Sequence, residues 1–465
     1  MVKKIITFIV GLVCLLISSL EAQDITGGWN GVLEVMGTQV TLVFHIQETD
    51  SGYTATFDSP DQGAMGIPFN AVEYNDDKLI LRAANIGAFY EGVPAADSIS
   101  GIWNQGGQSF ELNMYREKVE KKAYHRPQEP EKPYPYVEEE VTFENKRDSL
   151  TLAGTLTLPQ TTGLFPAVIL ISGSGPQNRN EEVFGHKPFL VLADYLTRQG
   201  IAVLRYDDRG TAESTGNHAT ATSQDFASDV MSAINYLKKR EDINHHEIGL
   251  IGHSEGGLIA PIVVNRTDDV AFMILLAGTG VLGKEISRMQ GRTLLDVKVS
   301  DRDAYNRFID KTIEIASSDK STDAKKVELT QLYHNSKEVL NELLPDGIDF
   351  DTFVGQQVEG ALRPWSQFFY NHDPVDELSK ITIPVLSLIG SNDVQVPPDM
   401  NHPPIQKALE KAGNKDVTIK ELPGLNHMFQ ESETGSILEY DEIEQTFSPV
   451  AIQEISSWIK ARVQK

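Results

Sequence analysis

Three residues far apart in the chain, Ser254, Asp393 and His427, are of the types needed to turn a hydroxyl on an electrophilic carbon. A serine hydroxyl is a poor nucleophile near neutral pH. It needs a base within hydrogen-bond reach and a third group that holds the base in the correct tautomer. Ser254 stands in Gly252-His253-Ser254-Glu255-Gly256, directly behind the apolar run Ile248-Gly249-Leu250-Ile251. A G-x-S-x-G pattern after a short strand predicts a sharp strand-to-helix turn, with flanking glycines leaving room for a strained serine. The helix that follows aims its free amides and its dipole at any oxyanion formed there. Asp393 ends Gly390-Ser391-Asn392-Asp393, after the apolar run 385–389, and His427 ends Pro423-Gly424-Leu425-Asn426-His427, after the run 417–421. The pentapeptide alone is a common pattern. Two partners, each just beyond a different strand candidate and in the order Ser, Asp, His, make it specific.

The elements that must hold these residues follow from hydrophobic patterning. Strand candidates at 150–158, 166–171, 201–206, 248–251, 272–276, 385–389 and 417–421 alternate with helical segments such as 189–198 and 226–239, the latter behind the capping candidate Ser223. That alternation specifies a mostly parallel sheet covered on both faces, with functional loops at the C-terminal ends of its strands. One connection is too long for a loop: residues 281–372 contain helical stretches at 304–316 and 324–344 and read as an inserted helical cap. A cap over the strand ends shapes the substrate pocket. Trp365, Phe368, Phe369 and Tyr370 are its candidate lining residues, although their spacing suits packing on the domain beneath equally well.

At 465 residues the chain exceeds what one core serves. Residues 23–117 show short alternating segments between turn residues, predicting an all-β barrel or sandwich domain. Trp29 and Trp103 sit there in similar local sequences; core packing is favoured over stacking on a sugar. A Pro-rich linker, 118–138, follows, whose Tyr134 and Tyr136 offer a means of docking it. Residues 1–22, with Lys3 and Lys4 before the apolar stretch 5–16, read as an export signal cleaved after Ala22, which sends the chain to the periplasm or outside the cell. Cys14, the single cysteine, lies inside it, so the mature chain has no disulfide, thiol nucleophile or thiolate metal site. A net charge of -25 disfavours nucleic acid and anionic membrane surfaces as partners. His245-His246 are adjacent in a loop and no H-E-x-x-H motif occurs, so no metal and no cofactor is expected.

The order Ser, Asp, His at those strand ends resembles the α/β-hydrolase superfamily over about residues 139–465. More narrowly, Gly173-Ser174-Gly175-Pro176-Gln177, His186-Lys187-Pro188, Arg205-Tyr206-Asp207-Asp208-Arg209-Gly210 and Gly252-His253-Ser254-Glu255-Gly256-Gly257 resemble exported bacterial carboxylesterases related to serine aminopeptidases and dipeptidyl peptidases. The resemblance implies an α/β-hydrolase fold and cleavage of small-molecule carboxylic esters through an acyl-serine. Ser254 would be the nucleophile, His427 the base and Asp393 its orienting acid. An oxyanion hole would use the amides of Glu255 and Ser174, with Gly175 as fallback, since Pro176 has no N–H. Two other readings stay open. A serine aminopeptidase would need a cap acid such as Glu314, Glu328 or Glu359 for the substrate ammonium, while dipeptidyl-peptidase relatives carry a propeller for which the N-terminal segment is too short. A glycan- or partner-binding protein with a vestigial hydrolase domain is the other.

Overall fold

The computed structural model describes residues 24–463 except 36–37, 50–51, 61–63, 76–77, 84–86, 106–107, 121–124, 294–298 and 345–349; the export-signal reading and Cys14 lie outside the described residues. Between Gly27 and Tyr115 ten strands form one antiparallel sheet. Its strands alternate as a one-sided surface must, the segment Lys78–Ala83 burying Leu79, Leu81 and Ala83 and turning the residues between them outward. The inward residues are large. Trp29, Phe44, Tyr90 and Trp103 are buried together, with Phe44 edge-on to Tyr90 at 5.1 Å. Trp29 donates its indole N–H to the carbonyl of Ile25 (2.8 Å), and the Arg116 guanidinium covers its ring at 3.7 Å, so no indole face is open to a sugar.

The second sheet has eight strands in the spatial order Val137–Asn145, Leu150–Leu158, Ala202–Tyr206, Phe165–Ile171, Ile243–His253, Phe272–Leu276, Val385–Gly390 and Val417–Leu422. The first two join antiparallel, and every pair from Ala202–Tyr206 onward is parallel. Alternate residues feed two cores: Ile169 and Leu250 point to one face with Phe226 and Leu258, while Val168 and Ile251 point to the other with Leu192 and Ile455. This is the double burial that near-continuous apolar strands require. The helix Ser223–Leu237 is capped one residue earlier than Ser223, by Thr222 in a capping box with Asp225.

Val137–Asn145 begins inside the stretch read as linker. Glu138, Glu139 and Glu140 gave it the look of a solvated spacer, but charge is what an exposed edge strand carries. The segment before it is tied down as well: Arg126 donates to the carbonyls of Phe184 and Ile443, Gln128 to that of Phe447, and Tyr134 stacks on Tyr136 at 5.0 Å.

Between Phe272–Leu276 and Val385–Gly390 lie the helices Gly283–Thr293, Arg302–Ala316, Thr322–Asn335, Lys337–Leu340, Phe350–Leu362 and Pro364–Asn371. The four from Arg302–Ala316 to Phe350–Leu362 share a separate apolar core that includes Phe308, Leu329, Tyr333 and Val354, while Ile286 and Phe369 of the other two join a core of the second sheet. The stretch 324–344, read as one helix, breaks at Ser336, which closes one helix and opens the next.

Candidate active site

Register brings the functional loops to one edge of the second sheet. Ile171 pairs with Gly252, His253 with Leu276, and Gly390 with Leu422, so the chain leaves these strands nearly level. Directly after His253, Ser254 adopts φ 52° and ψ −113° and starts the helix Glu255–Val264. Such a conformation costs a residue with a Cβ on the order of 1–3 kcal/mol and persists only where its surroundings impose it. They do so through two glycines. A Cβ on Gly252 would lie 2.1 Å from the carbonyl oxygen of Gly256, and one on Gly256 2.1 Å from that of Ile171. Any side chain at either position would force the turn open.

Asp393 and His427 are brought together. His427 donates from Nδ1 to Oδ2 of Asp393 at 2.8 Å, and both side chains are almost wholly buried. The other carboxylate oxygen accepts the N–H groups of Gln395 and Val396, each at 2.8 Å, which fixes the acid in place. The His427 loop is braced by Asn426, whose side-chain oxygen accepts the amides of Met428 (3.0 Å) and Gln430 (2.9 Å). No hydrogen bond joins Ser254 Oγ to His427 among the described residues. Such contacts commonly tighten only when substrate binds.

The loop after Phe165–Ile171 runs against the elbow: a Cβ on Gly173 would sit 3.3 Å from Cβ of Ser254. Ser174 and Glu255 both face the cavity beside Ser254. Glu255 opens its helix, so its N–H has no intrahelical acceptor, and the N–H of Ser174 has no partner among the described residues. Two amides are thus free near the serine. The charges at 207–209 brace this region. Asp208 accepts from Ser172 Oγ (2.7 Å) and the Gln177 amide (2.9 Å); its burial drives its pKa well above the carboxylate range, against the pull of those donors. Asp207 holds Arg179 through both oxygens, and Arg209 pairs with Asp229 at 2.7 Å.

A cavity of about 380 Å3 separates the elbow from the inserted helices. Trp365, Phe369 and Tyr370 line it; Phe368 does not. Trp365 and Phe369, four residues apart on the helix Pro364–Asn371, stack at 5.0 Å, and Phe368 stacks on His372 at 4.9 Å. Phe368 packs against the core of the domain beneath, the other reading that its spacing left open. Trp365 also donates its indole N–H to Oε1 of Glu255 at 2.7 Å, and Ser223 Oγ donates to the same oxygen at 2.6 Å. Burial raises the pKa of Glu255; these two donors oppose the shift. This tie between inserted helix and elbow was missed, and no local pattern in the sequence marks it.

Other polar residues of this domain take structural places. His186 is buried between Thr446 Oγ1 (3.0 Å) and the Tyr440 carbonyl (2.9 Å), and burial lowers its pKa to about 4. Asp373 caps the helix Pro374–Leu378, and Asp399 lies in the first turn of Pro398–Lys411. His253, next to the serine, has polar partners on both ring nitrogens.

An eight-stranded, mainly parallel sheet with helices on both faces, and a strand-to-helix elbow on its fifth strand, defines the class. The chain belongs to the α/β-hydrolase superfamily. It is a hydrolase, and residues 187–336 match the family described as "Serine aminopeptidase, S33". Esterase EstD of Thermotoga maritima is 26% identical over 329 residues, covering 70% of this chain and 69% of that protein. An uncharacterized 31.7 kDa protein of Escherichia coli, from the traX-finO intergenic region, is 23% identical over 254 residues, or 53% of this chain and 79% of its own length. Among solved structures, the Pyrococcus furiosus esterase Pf2001 overlays with a TM-score of 0.43 at 16% identity, over 74% of this chain and 98% of that one.

Proposed function

We propose that this chain is an exported serine carboxylesterase. The observation that carries the reading is the His427–Asp393 pair at the same sheet edge as Ser254 on its strained elbow. In the proposed cycle His427 takes the proton of Ser254 Oγ as the oxygen attacks an ester carbonyl. The amides of Ser174 and Glu255 receive the oxyanion. Asp393 keeps Nδ1 of His427 protonated, so that Nε2 is the basic nitrogen, and offsets the charge of the imidazolium. His427 then protonates the leaving alcohol, and water repeats the sequence on the acyl-serine. The inserted helices act as a cap that encloses the acyl group.

Cavity chemistry favours an ester over an amino-terminal peptide. Glu314 pairs with Lys311 and Glu328 with Lys320, Glu359 is exposed, and none of the three lines the cavity. Among the described residues its one acid is Glu255, whose burial disfavours the charge that a substrate ammonium would need. The esterase name of the Thermotoga relative agrees. Export rests on Lys3, Lys4 and the apolar stretch 5–16. A chain-length series of nitrophenyl esters, run beside amino-acyl anilides, tests the proposal: turnover of esters should fall by about 10⁶-fold in Ser254→Ala. Wild-type turnover in that variant, or hydrolysis of anilides alone, would overturn it.

A further inference from the structure

The base at the elbow is not the only histidine there with a carboxylate partner. His253, the residue before Ser254, is 6% exposed, and Glu181, from the loop after Ser174, is 4% exposed. Nδ1 of His253 lies 2.9 Å from Oε1 of Glu181, and the same oxygen accepts the N–H of Gly173 at 2.6 Å. Nε2 of His253 lies 3.0 Å from the carbonyl oxygen of His427. A carbonyl oxygen only accepts, so Nε2 carries a proton. The contact between Nδ1 and Glu181 then needs a second proton, which makes the pair an imidazolium and a carboxylate or shares one proton between neutral partners.

One carboxylate therefore reaches three pieces of the candidate site: the oxyanion loop through Gly173, the elbow through His253, and, through that ring, the backbone of the base. The ring of His253 lies 4.9 Å from that of His427, centroid to centroid. Glu181 is itself held in an unfavourable backbone conformation, at φ 52°, with its N–H on the carbonyl of Asn178 at 2.8 Å. Surroundings that impose a left-handed backbone on a buried acid are over-determined at that point. Nothing in the ester cycle uses this carboxylate to move a proton, and it does not line the cavity.

We propose that Glu181 and His253 form a buried positioning pair that fixes the oxyanion loop and the loop of His427 against the elbow. The proposal rests on the serine-hydrolase reading of Ser254. Burial opposes a charge on His253, but the Glu181 carboxylate and the His427 carbonyl outweigh it and raise the pKa, consistent with an ion pair. Removing the pair displaces the Ser174 amide and His427 together. Both act in the transition state more than in substrate binding, so kcat should fall and KM should not.

Two measurements on Glu181→Gln and Glu181→Ala test this, each beside the wild type and Ser254→Ala: ester kinetics, and the rate at which a fluorophosphonate probe labels Ser254. Labelling needs an activated serine and an oxyanion hole but no knowledge of the substrate. Glu181→Gln keeps the volume and an acceptor for Gly173 while losing the charge. We expect about a tenfold loss in kcat and labelling rate for Gln and about a hundredfold for Ala, with KM within about threefold, as a misplaced donor costs. Rates within threefold of wild type in both variants would overturn the pair. So would a loss carried by KM, or one that matches the fraction unfolded in a thermal melt. If the wild-type serine is not labelled, the serine-hydrolase reading itself fails, a result that is distinct from the others.

Discussion

The two sheets of this molecule bury very different things. In the sheet Gly27–Tyr115 the interior is aromatic, and among the described residues its only buried polar side chains besides the tyrosine and tryptophans are Ser59 and Asn104. In the second sheet Glu181, Asp207, Asp208, His253, Glu255, Asp393 and His427 are all buried; His253 ends a strand, and the others lie on the loops or helix start beyond the strands. A buried polar group without a partner costs about 1–3 kcal/mol, so a fold that only needs to stand avoids them. Here they come with partners: Glu181 with His253, Asp207 with Arg179, Asp208 with Ser172, Glu255 with Trp365 and Asp393 with His427. The tryptophans drew attention in the first sheet because they are large and rare, yet they are the filling of a core. Chemistry follows partnered burial of polar groups, not conspicuous residue types.

The sharpest way to break that comparison is at Asp393. Asp393→Asn keeps an oxygen for the amides of Gln395 and Val396 but turns an N–H toward Nδ1 of His427. That stabilises the tautomer in which Nε2 bears the proton and cannot accept one from Ser254. We expect kcat to fall by about 10⁴-fold, with the thermal midpoint almost unchanged. A kcat within tenfold of wild type would mean that the buried pair is structural, as the first sheet's contents are.

The converse test lies at Trp103, which is 2% exposed and packs edge-on against Phe57 at 5.4 Å. Trp103→Ala should destabilise the first sheet by about 3–5 kcal/mol, read from denaturant unfolding followed by tryptophan fluorescence. Turnover by the chain should persist where that sheet has unfolded and the second has not. If activity disappears with the first sheet, its interior serves the site after all and the contrast is wrong.

How much of this was legible in the sequence depends on how local the cause is. The strands Leu150–Leu158 and Phe272–Leu276 were read to the residue, because apolar runs between breakers carry their own signal. The meeting of Asp393 and His427 was legible for a related reason: each follows a strand, and neighbouring parallel strands bring their ends together. Val137–Asn145 was hidden, since three glutamates on an edge strand look like a spacer. For Trp365, Phe368, Phe369 and Tyr370 the spacing left lining and packing equally open, because four clustered aromatics do not reveal which of them borders a cavity. Glu181 was invisible. It stands beside Glu182, identical in type, and only a backbone turn at φ 52° sends one of the two into the core.

The mildest test concerns the hydrogen bond by which the inserted helices reach the elbow. Trp365→Phe preserves the stack on Phe369 but removes the N–H that Glu255 accepts at 2.7 Å. Ser223 still donates to the same oxygen, so Glu255 keeps one partner and loses about 1 kcal/mol of hydrogen bonding. Because that donor opposes the raised pKa of Glu255, its loss should push the carboxyl further toward the neutral form. The amide of Glu255 belongs to the elbow itself and stays in place. The helix Pro364–Asn371, by contrast, is released to shift over the cavity. Substrate capture should therefore suffer and the chemical step should not: kcat/KM for nitrophenyl esters should drop about fivefold to tenfold, carried by KM, with kcat within about twofold. A loss in kcat instead would show that Trp365 acts through the elbow, and that the cap and the strand ends form one polar network rather than a lid resting on a preformed site.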